Sequence, residues 1–124
     1  MKNSIILIVT LIGMAAWQSC QYEWVEPVKT VIPEVVSFSV DIQPIFNEGC
    51  NNAGCHAPGG TAPDLTPANA YADLFAMNLV DTVNPEQSIL YLKLEEGGSM
   101  RKYAPSGDPD DIILKWIREG ALNN

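Results

Sequence analysis

The stretch Cys50-Asn51-Asn52-Ala53-Gly54-Cys55-His56, "CNNAGCH", gathers two of the chain's three cysteines and its only histidine. Two thiols and an imidazole in seven residues allow three chemistries. A disulfide between Cys50 and Cys55 forms readily outside the cytoplasm. A zinc site would use both sulfurs and His56, but a structural site takes four protein ligands and no fourth is evident. The third is covalent haem attachment, in which two thiols add to two vinyl groups and an imidazole beside the second thiol reaches the iron. Its usual spacing is C-x-x-C-H, so the four residues between these thiols require a bulge. Asn51, Asn52 and Gly54 tolerate positive φ and suit one.

The compartment follows from the other end of the chain. "MKNSIILIVTLIGMAAWQSC" has a charged start at Lys2, an apolar run from Ile5 to Trp17 and small or polar residues before Cys20. That is the pattern of an export signal over residues 1–19, and the run is short of the roughly 20 apolar residues of a membrane span. Cys20 resembles the lipid-attachment cysteine of bacterial lipoproteins. A lipid there consumes one thiol and leaves Cys50 and Cys55 as a pair. The chain is then expected to be exported and lipid-anchored to a bacterial membrane, on the periplasmic or cell-surface side.

Residues 20–36 contain two prolines and no sustained helical period, which reads as a lipid-anchored flexible tether. Residues 37–124 form the expected body. Four helix starts stand out there. Asp41 precedes "IQPIFNEG"; Thr66 with Pro67, Asn84 with Pro85 and Asp108 with Pro109 each place a capping residue before a proline. No stretch has a period-2 strand pattern. The expectation is an all-α domain of about four short helices with long loops. Ile112, Ile113, Trp116 and Ile117 form one apolar stripe, expected to pack on Ile42, Ile45 and Phe46 and to bring the two ends of the body together.

A net charge of −8 in 124 residues argues against nucleic acid as a partner. The acidic residues are scattered, as on a solubilising surface, and could also steer a basic redox partner. No nucleophile with an adjacent base, no paired carboxylates at a recognisable catalytic spacing and no phosphate-cradling glycine loop is present. A body this small is short of core, and a large apolar prosthetic group would supply the missing interior.

Taken together, "SVDIQPIFNEGC" (39–50), "CH" (55–56), "PDLT" (63–66), "GGSM" (97–100) and "IILKWIREGALNN" (112–124) resemble the small exported, planctomycete-type cytochrome c domains found in bacterial lipoproteins. The resemblance covers most of residues 37–124. It implies a class I cytochrome c-like fold around one covalently attached haem c, and electron transfer with a redox partner protein rather than enzymatic catalysis. Cys50 and Cys55 match the attachment thiols and His56 the proximal ligand. The resemblance also implies a methionine opposite, and after removal of the signal only Met77 and Met100 remain. Met100, in the glycine-rich "EEGGSMRKYAP", is the expected sixth ligand, whereas Met77 reads as core. Phe46, Leu65, Tyr71, Leu74, Leu90, Leu92 and Trp116 are candidates for the haem wall. An open sixth position would instead suit a peroxidase. The alternative function is a disulfide-stabilised structural or binding lipoprotein without cofactor.

Overall fold

A computed structural model describes residues 30–124. The signal at 1–19, Cys20 and the tether as far as residue 29 lie outside the described residues. Within 30–124 the chain is helical, with no strand. Four α-helices run in order, α1 (Gln43–Gly49), α2 (Ala70–Ala76), α3 (Ile89–Leu94) and α4 (Pro109–Arg118). A π-helical turn, Phe38–Ile42, leads into α1, and 3-10 turns occupy Pro85–Gln87 and Arg101–Tyr103. None of these helices is long and apolar enough to cross a membrane.

Helix starts differ in detail from those expected. Asp41 is not a cap: helical structure begins earlier, at Phe38, and the Asp41 carboxylate reaches back to accept from the Ser37 N–H at 2.7 Å. Regular helix begins at Ala70 instead of beside Thr66. Asp64 instead holds the turn ahead of the helix, accepting from the Thr66 N–H at 2.9 Å, the Thr66 hydroxyl at 2.6 Å and Asn69 Nδ2 at 2.7 Å, and α2 itself has no side-chain cap. A carboxylate two residues ahead thus competes successfully for the donors of the turn. Asn84 precedes only the 3-10 turn, and α3 begins after Ser88. Asp108 does stand immediately before α4, with Pro109 in its first turn.

Two helix ends fix the packing. At the end of α4 the Gly120 N–H donates to Ile117 and the Ala121 N–H to Trp116, with Gly120 at φ 96°, a Schellman closure that buries Ala121. α2 ends the same way. Asn78 takes the left-handed position at φ 54°, and the Leu79 N–H bonds Leu74 at 2.9 Å. Leu79 in turn accepts from the Leu90 N–H at 3.0 Å, which ties α2 to α3.

The apolar stripe of α4 is the centre of the core. Ile113, Trp116 and Ile117 are fully buried with Ile42, Phe46 and Leu74, and Ile112 packs at the edge. Phe38 stands 5.3 Å from Trp116 and 5.2 Å, edge-on, from Tyr71 between ring centroids. Burial of each such side chain stabilises by about 1.5–3 kcal/mol. Both rings with polar handles are satisfied, Trp116 Nε1 donating to Leu122 and the Tyr71 hydroxyl to Ala121. The two ends of the body meet as expected, because Asn124 accepts from the N–H groups of Phe38 and Ser39 and from the hydroxyls of Ser37 and Ser39, all at 2.8–2.9 Å.

Residues 30–36 lie against α4. The Val36 N–H donates to Glu119 at 2.9 Å, and Thr30 Oγ1 accepts from the Asp108 N–H at 3.0 Å. Val36 is buried, so the core takes in one residue ahead of Ser37.

Candidate functional site

The "CNNAGCH" segment is built onto the end of α1. The N–H groups of Cys50 and Asn51 both bond the Phe46 carbonyl, at 2.9 and 3.0 Å, so the helix delivers Cys50 into the interior. The bulge then turns at Gly54, whose φ of 81° is left-handed; Asn51 and Asn52 keep ordinary backbone angles. The Cys55 N–H closes on Asn52 at 2.9 Å and the His56 N–H returns to the Cys50 carbonyl at 3.1 Å. Four intervening residues therefore form a closed loop with its ends together.

Both thiols are free. Cys50 is buried and Cys55 exposed. Burial pushes the Cys50 thiol above its ordinary pKa, and the neighbouring Cys55 adds to the shift. Among the described residues no group of three or more His, Cys, Asp or Glu side chains is placed to hold a metal ion, so the zinc reading gains no support.

His56 is half-buried, and its ring is oriented by the turn that follows. The Thr61 N–H bonds Cys55 at 2.7 Å, Gly60 bonds Ala57 at 2.8 Å and Leu65 bonds the His56 carbonyl at 2.8 Å. This brings the carbonyl oxygens of Thr61 and Pro63 to 3.0 and 3.2 Å from Nδ1. Carbonyls only accept, so the Nδ1 side of the neutral ring must carry the proton. The lone pair then lies on Nε2.

These residues open onto an apolar cleft of about 430 Å³, within the size range of small-molecule and cofactor sites. Cys50, Cys55 and His56 line it, and so do Met77 and Met100. Of the expected wall, Phe46, Leu65, Leu74 and Leu90 line the cleft. Tyr71 and Trp116 belong to the aromatic core around Phe38 instead, and Leu92 is exposed without lining it. No protein-family model, curated protein or solved structure matches the chain.

The two methionines occupy different surroundings. Met77 caps α2 and is 43% exposed, so the expectation that it is core does not hold: the helix stops at Ala76 and the chain turns away through the left-handed Asn78. Met100 is half-buried against the core, and its N–H donates to the Lys93 carbonyl at 2.9 Å. The following turn brings the Tyr103 carbonyl oxygen against the α-carbon of Gly49, where any larger residue would collide with it. The Met100 loop and the helix that delivers Cys50 are therefore in direct contact.

Leu79, Ile89, Leu94, Tyr103 and Lys93 also line the cleft and were not anticipated. A signal for Ile89 and Lys93 was present in the sequence, since they lie four apart on one helix and share a face. Leu79 carried no such signal, because its position depends on the left-handed turn at Asn78.

Proposed function

We propose that the protein is an electron-transferring cytochrome of the c type, holding one haem c within a class I cytochrome c-like arrangement of its helices. The observation that carries this reading is the convergence of Cys50, Cys55, His56 and Met100 on one apolar cleft, with the His56 ring turned so that Nε2 is the basic nitrogen. A disulfide-stabilised lipoprotein needs neither the cleft nor the oriented imidazole.

The donor set fits haem. Cys50 and Cys55 would hold the haem as thioethers, each S–H adding across a vinyl group with no oxidant consumed. His56 offers Nε2 to iron while the Thr61 and Pro63 carbonyls hold its Nδ1 proton, which orients the ring and strengthens it as a ligand. Met100 would supply the second ligand, a thioether; the half-buried, core-packed setting of its loop supports it over the exposed Met77. Bound haem iron supplies one-electron redox chemistry. A thioether opposite imidazole favours the reduced form and raises the potential. Phe46, Leu65, Leu74, Leu79, Leu90 and Leu94 exclude water from the cleft and disfavour added charge within it.

Held by both His56 and Met100, the iron would have no position left for a substrate, so the reading is electron transfer and not catalysis. We further propose that it is exported, anchored by lipid at Cys20 and served by a redox partner protein.

The test is expression of the full chain, with its export signal, alongside a c-type haem maturation system. Haem that stays with the polypeptide on a denaturing gel is expected. A colourless band with Cys50 and Cys55 joined as a disulfide would replace this reading with the structural one.

A further inference from the structure

We propose that Lys93 anchors a carboxylate of the group held in the cleft, an inference that rests on the haem reading above. Of the residues lining the cleft, Lys93 is the one Lys or Arg, and none is Asp or Glu. It stands among Leu79, Ile89, Leu90 and Leu94, beside Met100 through the backbone bond to its carbonyl.

The rest of the molecule makes this placement unusual. Among the described residues Arg101 pairs with Asp110 at 3.3 Å, Lys115 with Glu119 at 2.7 Å and Arg118 with Glu86 at 2.6 Å. Lys102 sits 4.7 Å from the centre of the Tyr103 ring. Lys93 has no carboxylate within 4.0 Å among those residues, although acidic side chains far outnumber basic ones in the chain. A cation left without its own carboxylate beside an apolar cleft selects a ligand with an apolar body and an anionic edge. Haem has that form, with two carboxylates on one side of a flat hydrophobic ring. Lys93 is exposed at the edge of the apolar wall, so a charge-assisted contact there is worth about a two- to fivefold change in affinity.

Covalent attachment would mask this preference, so the test uses the full chain carrying Cys50→Ala and Cys55→Ala. Iron protoporphyrin IX as the free diacid and as its dimethyl ester are titrated in by absorbance, and the ratio of their dissociation constants is compared between variants. The comparison cancels the intrinsic difference between the two porphyrins. The diacid is expected to gain about two- to fivefold over the ester with Lys93 present. Lys93→Met should abolish that gain, Lys93→Arg should restore it, and Lys102→Met should leave it in place. An unchanged ratio in Lys93→Met overturns the assignment of Lys93 while leaving the haem reading intact. Failure of every variant to bind either porphyrin sinks the haem reading and this inference together.

Discussion

Nδ1 of His56 lies 3.0 Å from the carbonyl oxygen of Thr61. That single contact links the choice of tautomer to the fold of residues 57–63, because the Thr61 carbonyl is positioned only if the turn at Gly60 closes as it does. A side chain on Gly60 would run into the backbone carbonyls of Cys55 and Ala57, which cannot rotate away.

Gly60→Ala is therefore expected to destabilise the protein by about 1–3 kcal/mol and to loosen His56. In haem-loaded protein the looser ring should be displaced by protons at higher pH than in the parent. An acid titration followed by visible absorbance checks this, and an unchanged midpoint would separate the turn from the ligand.

The contact between Gly49 and the Tyr103 carbonyl makes a second prediction. Gly49→Ala should push the Met100 loop outward and weaken or remove the far-red absorption band that a methionine sulfur gives on ferric haem. Met100→Ala should remove the band outright and Met77→Ala should leave it. The opposite result for the two methionines would move the ligand to Met77.

Before haem is attached, the two thiols should differ in reactivity. Burial and the neighbouring Cys55 raise the pKa of Cys50, so less of it is thiolate near neutral pH and reagents reach it poorly. Brief iodoacetamide treatment of the folded, haem-free chain at pH 8 is expected to label Cys55 at least about tenfold faster, as read by peptide mass spectrometry. Equal labelling would mean that Cys50 is not held in the interior.

Acid should weaken the fold in a defined window. Hydrogen bonds from Thr66 and then Asn69 hold Asp64 below the usual carboxylate range, and Lys115 and the Val36 N–H do the same for Glu119. A carboxyl with a lowered folded pKa contributes stability that is present above its unfolded value, about 4, and is lost as pH falls through the folded value. The urea midpoint should hold from pH 7 to 5 and drop below about pH 4. Asp64→Asn should lower the midpoint at pH 7 and flatten the drop, and a parallel curve for the variant would remove Asp64 from the account.

Helix number and the α4 stripe were legible because they depend on local spacing and on proline placement. The same holds for the loop that brings Cys50, Cys55 and His56 to one cleft, since those residues are close in sequence. Exact helix starts were not, since the helical turn begins ahead of Asp41 at Phe38, and Asp64 draws the Thr66 and Asn69 donors into a turn of their own before α2. The walls of the cleft were half legible. Leu65 and Leu74 are plainly apolar, but whether an aromatic such as Trp116 faces the cleft or the core depends on how Phe38 and Tyr71 crowd around it. Lys93 was missed for a related reason, as a lone lysine on a short helix reads as surface until its neighbours are known.

Residues 30–36 lie along α4, and neither that segment nor α4 lends a side chain to the cleft. Residues 30–36 and the cleft are thus separate parts of the fold. Substitutions along 30–36 can alter the seam with α4 while the cleft's walls keep the same composition. Variation in that seam and variation in the cleft become independent problems for this chain.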